Sequence, residues 1–148
     1  MPIIEATIKI KRPGLEVYKA IKNMESFPEF MRDIKSLNVI KRLNENRIIT
    51  SWETEIDGAP VSWKEEDIFD DANFEVKFNM VEGYYKAYQG LWSVKSVADD
   101  TELSIRVEFD WGIPVLEKHV GKALENKARR SLRGMIQAIR KRLEKSNV

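Results

Sequence analysis

The chain has 148 residues, of which 43% are hydrophobic, and we expect one compact domain spanning residues 1–148. The absence of cysteine excludes disulfides, thiolate metal sites and thiol nucleophiles, and it favours a cytoplasmic location. The net charge is only +1, yet ten Lys or Arg residues accompany just two acids, Glu125 and Glu144, between positions 118 and 145. This segment therefore carries +8 and the remainder about −7, while no stretch approaches the roughly 20 apolar residues of a membrane span.

The N-terminal segment is predicted to contain one strand and two short helices. After Pro13-Gly14, apolar residues recur at helical spacing and predict a helix over 15–23. Ser26, followed three residues later by Glu29, predicts a second, capped helix that ends near residue 31. The strand is predicted from apolar residues that alternate with polar ones before these helices: Ile4, Ala6, Ile8 and Ile10.

The middle of the chain is predicted to form six more strands, all antiparallel. Asp57-Gly58 suits a tight hairpin, and other short polar segments separate apolar alternations. In the last strand one side is apolar and the other polar, as in a sheet with one wet face. The predicted strands cover 34–44, 46–57, 60–70, 73–81, 86–98 and 101–111.

A long amphipathic helix is predicted over 115–145. It would be about 45 Å long but only about 10 to 12 Å wide. Seven strands span roughly 30 Å, so one helix covers them only if the sheet curves around it. The fold class is therefore α+β, with a curved seven-stranded antiparallel sheet wrapped around a long C-terminal helix. Space left between them favours a cavity or a plug of large side chains.

Aromatic residues dominate the side of the strands predicted to face inward. They indicate either a wall that stacks on a flat ligand or simple core filling. Apolar residues on the second short helix suit a lid over the cavity, or ordinary packing. The predicted ligand-binding residues are Phe27, Phe30, Met31, Trp52, Trp63, Phe78, Met80, Tyr88, Gly90, Trp92, Phe109, Trp111 and Leu124.

Two polar residues are candidates for acid–base chemistry. Glu65 shares a strand face with Trp63 and Asp67, so an inward Trp63 would bring Glu65 into the cavity. Desolvation there would favour the neutral carboxyl, a possible general acid toward a carbonyl. The alternative is a β-bulge that turns the acids outward. The phenol of Tyr88 either orients a ligand oxygen or bonds to the backbone.

Neither a metal nor a cofactor is expected. His119 is the only histidine, and one histidine without cysteine makes no convincing zinc or iron site. It either faces the cavity mouth or is solvated near the start of the helix. The sequence has no glycine-rich phosphate loop, nucleophile elbow or dinucleotide fingerprint.

The final helix carries basic residues opposite its apolar stripe. Most such runs are solvated faces, and cations near a helix C-terminus also complement its dipole. The functional alternative is attraction to an anionic membrane surface or an acidic carrier protein. Nucleic acid is not expected as a partner, because no aromatic residues interrupt the basic ones. The run comprises Lys127, Arg129, Arg130, Arg133, Arg140, Lys141 and Arg142.

Short motifs spread over the whole chain carry a family resemblance. They are Val17-Tyr18, Phe27-Pro28-Glu29-Phe30-Met31, Trp63, Glu82-Gly83, Gly90-Leu91-Trp92, Phe109-Asp110 and Ile113-Pro114. In their order and spacing the chain resembles the START-like, helix-grip superfamily, in its polyketide cyclase/dehydrase and coenzyme-Q-binding branch. The resemblance implies the helix-grip fold and a pocket for polyketides, lipids or quinones. Members of this superfamily include carriers, cyclases and regulators.

The favoured function is a carrier or chaperone that binds a small hydrophobic ligand, such as a lipid, an isoprenoid quinone or a polyketide-like aromatic molecule. The first alternative is a polyketide cyclase, aromatase or dehydratase in which Glu65 or Tyr88 moves a proton. The second is a regulatory or toxin-type module that contacts a partner through the basic helix.

Overall fold

The computed structural model describes residues 3–56, 58–83, 87–110 and 114–145, and side chains for all of these except residues 56 and 114–120. In this part of the chain one strand precedes two short helices, six strands follow, and a long helix comes last. The elements are β1 (Ile3–Ile10), α1 (Gly14–Lys22), a 3₁₀ helix (Met24–Glu29), β2 (Ile34–Asn44), β3 (Arg47–Ile56), β4 (Ala59–Asp70), β5 (Glu75–Gly83), β6 (Ala87–Val97), β7 (Asp100–Asp110) and α2 (Pro114–Lys145).

The seven described strands form one antiparallel sheet in the order β1-β7-β6-β5-β4-β3-β2. β1 pairs with β7, so the N-terminal strand lies beside the last one. α2 packs against both of these strands and buries Leu132, Ile136 and Ile139 in the core. The predicted α+β fold is confirmed, with the sheet curved around one long helix.

The alternation predicted for the last strand is borne out in β7. Leu103, Ile105 and Val107 are buried, whereas Arg106 between them is exposed. α1 likewise buries Tyr18 and Ile21 of the residues that recur at helical spacing, whereas Leu15 at its start is exposed. The inward side chains of the sheet and the apolar stripe of α2 therefore form one continuous core.

The second short helix differs from the prediction. It is a 3₁₀ helix that begins at Met24, one residue after Asn23, and ends at Glu29. The Ser26 hydroxyl donates to the Asn23 carbonyl at 2.7 Å and caps no amide. The predicted capping box is therefore wrong, because Ser26 lies inside the 3₁₀ helix and the N-cap position is occupied by Asn23.

Two turns set the limits of the central strands. Gly58 has φ +82°, in the left-handed region expected for the hairpin, while Asp57 lies outside the described residues. β5 begins later than predicted because Phe74 has φ 55°, which an extended strand does not allow. The Phe74 ring stacks on Tyr18 with centroids 4.9 Å apart, and this contact stabilises the turn.

The C-terminal end of α2 is tied to the rest of the molecule by charged side chains. Arg142 lies 3.4 Å from Glu29 and stacks over the Phe30 ring at 4.5 Å. The Lys11 amide donates to Glu144 at 3.0 Å. Arg142, one residue of the predicted basic run, therefore holds α2 against the 3₁₀ helix. None of the described helices is both long and apolar enough to span a bilayer.

Candidate ligand-binding site

A cavity lies between α2 and the inner face of the sheet. Its volume is about 70 Å³, counted as the space open to the centres of water-sized molecules. α2 contributes Ala128, Ser131, Leu132 and Met135 to its lining. From the sheet, six of the predicted aromatic residues and Glu65 line it: Trp52, Trp63, Phe78, Tyr88, Trp92 and Phe109.

The aromatic residues form a connected wall because they share the inward face of neighbouring strands. Trp52 and Trp63 are opposite each other in the β3–β4 register, and their rings stack at 5.2 Å. Tyr88 lies 5.5 Å from Trp63 and 5.7 Å from Phe78 between ring centroids. Rings at these separations present flat, apolar surface with a few polar groups at its edges.

The cavity is small for a polycyclic ligand. A space of 70 Å³ is less than half of the roughly 150 Å³ of an apolar cavity that accommodates one benzene molecule. A ligand of two or more rings must therefore displace lining side chains. Met135 is suited to move, because methionine is unbranched and has three rotatable bonds.

Glu65 is the polar group at the centre of this apolar lining. Its side chain is only 2% exposed, and the Trp63 indole donates to its Oε1 at 2.7 Å. The β4–β5 register shifts beside Lys64, but the extra residue, Val81, lies in β5. The alternation along β4 is therefore unbroken. Of the two predicted alternatives, Glu65 follows the first and points into the cavity, and no β-bulge in β4 turns it outward.

Asp67 lies next to Glu65 on the same face but does not line the cavity. The Thr50 hydroxyl donates to Asp67 Oδ2 at 2.6 Å, and the Trp52 indole donates to the Thr50 hydroxyl at 2.8 Å. Sequence reasoning gave Asp67 no functional role, although its parity with Glu65 already placed both acids together. A buried chain of hydrogen bonds thus links the two acids to the aromatic wall.

Burial raises the pKa of both acids above the ordinary values. Burial raises the pKa of Glu65 well above its usual value. The negative charge of Asp67 and a hydrogen bond with Asp67 raise the Glu65 pKa further, whereas the hydrogen bond from Trp63 lowers it. Burial also raises the pKa of Asp67, although hydrogen bonds with Glu65 and Thr50 oppose this. Each carboxyl group is therefore harder to ionise in the folded protein than in water.

Several predicted ligand-binding residues lie away from the described lining. Phe27 is fully buried behind the wall, 6.2 Å from the ring centres of both Trp52 and Trp92. Phe30 and Met31 line an adjoining groove. As ligand contacts these three remain predictions, together with others on the strands and on α2: Met80, Gly90 and Leu124.

Trp111 and the side chain of His119 lie outside the described part of the structure. Among the residues that are described, no group of three or more His, Asp or Glu side chains is arranged to hold a metal ion. Of the α2 residues that line the cavity, Ala128, Leu132 and Met135 lie on the predicted apolar stripe, although none was predicted as a ligand contact, and Ser131 was not predicted at all.

A larger groove adjoins the cavity between the segment before β2 and the outer side of α2. Its volume is about 800 Å³ on the same measure, and it shares Asp33, Ile34, Ser131 and Met135 with the cavity lining. Two acids, Asp33 and Glu55, lie among five cationic residues there: Arg32, Lys35, Lys127, Arg130 and Lys141. The outer side of the cavity is therefore positively charged.

A curved antiparallel sheet closed by one long helix around an aromatic cavity defines a START-like, helix-grip protein. The sequence matches the family described as polyketide cyclase/dehydrase and lipid transport over residues 10–136. The chain belongs to this family. The superfamily resemblance read from the motifs is thereby confirmed, while the coenzyme-Q part of it remains a prediction.

Solved structures share the fold at low sequence identity. TTHA0849 from Thermus thermophilus is 22% identical, with TM-score 0.92 over 99% of this chain and 100% of that one. The Zhui aromatase/cyclase from Streptomyces sp. R1128 is 13% identical, with TM-score 0.79 over 96% and 95%. Major latex-like protein 151 from Panax ginseng is 16% identical, with TM-score 0.70 over 89% and 95%. No curated protein matches the sequence.

Proposed function

We propose that the protein binds a small hydrophobic ligand in the cavity between sheet and helix and acts as its carrier or chaperone. The observation that supports this most is the aromatic wall of the cavity, with a single buried acid, Glu65, among its described lining residues. Concave, mostly apolar sites with few polar groups are typical of small-molecule binding. The family description, which includes lipid transport, agrees with this function.

The wall favours a ligand that is flat over at least part of its length. The stacked pair of Trp52 and Trp63 offers ring surface, and stacked or tilted aromatic contacts contribute about 0.5–1.5 kcal/mol each beyond area burial. An isoprenoid quinone and a polyketide-like aromatic molecule both have such a ring. A lipid would use the aliphatic part of the lining, including Leu132 and Val107.

Native mass spectrometry of the full chain, purified without detergent, tests the carrier function. The spectrum is expected to contain the polypeptide with a bound molecule, released on gentle activation and identified by its mass. A spectrum of bare polypeptide alone, even after incubation with cell lipid extract, would argue against a carrier.

The second candidate function is a cyclase, aromatase or dehydratase, and the burial of Glu65 within the cavity lining favours it. A neutral carboxyl in such a site can protonate a carbonyl oxygen, while the Tyr88 hydroxyl orients the substrate. The fold shared with the Zhui aromatase/cyclase agrees with this alternative.

Turnover of a synthetic poly-β-ketone separates the two functions. If the protein is an enzyme, Glu65→Gln and Tyr88→Phe are expected to lower the cyclisation rate about 10²-fold or more, the usual contribution of a positioned acid or base. Binding of the same compound should change less than about threefold. Equal rates for both variants and the wild type would remove these residues from catalysis.

We further propose that the cationic groove draws the protein to an anionic membrane surface or an acidic carrier protein that delivers the ligand. The groove opens beside the cavity, and Arg32, Lys35 and Lys141 on its rim are exposed. Each cation near an anionic lipid surface contributes about 1 kcal/mol.

Vesicle sedimentation tests this attraction. Vesicles with one third phosphatidylserine should sediment the protein at low salt but release it at high salt, whereas pure phosphatidylcholine should not. Arg32→Glu, Lys35→Glu and Lys141→Glu together should abolish sedimentation. A matched triple charge reversal on exposed strand residues, Lys9, Lys77 and Lys95, should not. Equal loss in both triples would show that total charge, not the groove, is recognised.

A further inference from the structure

The cavity is acidic rather than basic among its described lining residues. Glu65 and Asp33 contribute carboxyl groups to it, and no Lys, Arg or His in the described part of the lining opposes them. A buried carboxylate without a cation is costly, and such groups usually take up a proton or find strong hydrogen-bond donors. Glu65 is 2% exposed and Asp67 0%, so the pair lies deep enough for this cost to matter.

One atom of the pair indicates where a proton must be. Asp67 Oδ2 accepts a hydrogen bond from the Thr50 hydroxyl. Asp67 Oδ1 is also buried, but no N–H or O–H group of the described residues donates a hydrogen bond to it. Two ionised carboxylates cannot hydrogen-bond each other, because both are acceptors only. Glu65 lies two residues away on the same buried face of β4, so a proton on its carboxyl group that points to Asp67 supplies the missing donor.

We propose that Glu65 and Asp67 hold one proton between them at neutral pH, and that the single negative charge left on the pair makes the cavity select uncharged, hydroxyl-bearing ligands over anionic ones. This rests on the proposed ligand-binding function and specifies the chemistry of its ligand. Asp67 is a positioning residue, since it acts through Glu65. With the proton directed at Asp67, Glu65 Oε1 accepts from Trp63 and has a second lone pair for a ligand hydroxyl.

The surroundings contain no cation that would cancel this charge within the described residues of the lining. Tyr88 on β6 and Asp33 before β2 are its other titratable members, and Glu66 lies on the opposite face of β4. The elements packed against the pair otherwise present uncharged side chains: Thr50 and Trp52 from β3, Phe78 and Met80 from β5, and Ala128, Ser131, Leu132 and Met135 from α2.

A matched pair of ligands tests the selection. 2-Naphthol and 2-naphthoate share one ring system, but at pH 7 the first is neutral with a hydroxyl donor and the second is an anion. Calorimetric titration is expected to give at least tenfold tighter binding of 2-naphthol. The double variant Glu65→Gln with Asp67→Asn, which removes both carboxyl groups and therefore the charge, should reduce this ratio to below about threefold. Glu66→Gln, which removes an acid from the outer face of β4, should leave it unchanged.

The shared proton has a separate signature in the pH dependence of stability. The unfolded chain loses the Glu65 proton near its ordinary value of 4.5, while the folded protein retains it. The unfolding equilibrium constant of the wild type should therefore rise up to tenfold per pH unit above about pH 4.5, until the folded protein also releases the proton. Glu65→Gln should lack this rise.

The possible outcomes separate the inference from the function on which it rests. Equal affinity for the two naphthalene ligands, or the same pH slope in the wild type and Glu65→Gln, would overturn the shared proton and leave ligand binding intact. Failure of both compounds to bind would overturn the ligand-binding function itself. A preference for 2-naphthol that the double variant Glu65→Gln with Asp67→Asn removes, with the pH slope lost in Glu65→Gln, would support both.

Discussion

Replacing Gly90 by alanine is expected to destabilise the protein by about 3 kcal/mol, the upper end of the usual cost of overpacking. A Cβ atom at Gly90 would lie 2.1 Å from the Arg106 carbonyl oxygen and 2.4 Å from Cζ of Phe78. The carbonyl belongs to the backbone of the neighbouring strand β7, and Phe78 is 2% exposed within the aromatic wall. Neither atom can retreat without breaking strand pairing or moving the wall.

A second glycine provides the matched control. Gly134 lies in α2 with no atom within 4 Å of the added methyl group, so Gly134→Ala should stabilise the protein by about 0.5–1 kcal/mol through helix propensity. Urea unfolding followed by tryptophan fluorescence measures both changes. Equal stability of Gly90→Ala and the wild type would mean that β6 and β7 do not approach each other as closely as described.

The strand pattern was predictable because one face of the sheet is exposed to solvent and the other is buried in the core. β2 has the predicted limits, 34–44, and the inward residues of β7 follow from alternation alone. A sequence with period two on a half-buried sheet allows only one register per strand, since a slip of one residue exposes the whole apolar set.

Alternation does not predict which of the inward-facing residues of a strand line the cavity. Parity places Met80 and Tyr88 on the inner face, yet of these two only Tyr88 lines the cavity. Parity likewise groups Glu65 with Asp67, but which acid meets the cavity depends on where α2 crosses the sheet. That crossing is set by packing between residues far apart in the chain, which no local pattern contains.

The basic run on α2 illustrates the same limit. Its residues share one helix face, and nothing in the charge pattern distinguishes one from another. In the structure, however, Arg142 pairs with Glu29, which is 113 positions earlier in the chain. Arg129 bonds to Asn126 within the helix itself. Which members of the run line the groove beside the cavity is likewise decided by tertiary contacts and not by the charge pattern.

Replacing Ala128 by phenylalanine is expected to abolish ligand retention while the fold survives. Ala128 is half-buried on α2 and lines the cavity, so the new ring would occupy a space of only about 70 Å³. The ligand and the ring cannot both be present. The intrinsic cost of phenylalanine in a helix is about 0.5 kcal/mol, which is small beside the stability of a typical domain.

Ala123→Phe is the matched control, because Ala123 is exposed on the same helix and does not line the cavity. It imposes the same change in helix propensity and hydrophobicity without filling the space. Circular dichroism and thermal melts of both variants establish that each is folded before its ligand content is compared.

The ligand content of these two variants and the wild type, measured by native mass spectrometry after one purification without detergent, tests the cavity most directly. Occupancy of the same bound molecule should be equal in the wild type and Ala123→Phe, and at least tenfold lower in Ala128→Phe. Full occupancy in a folded Ala128→Phe protein would mean that the ligand binds elsewhere, and the cavity between sheet and helix would not be the binding site.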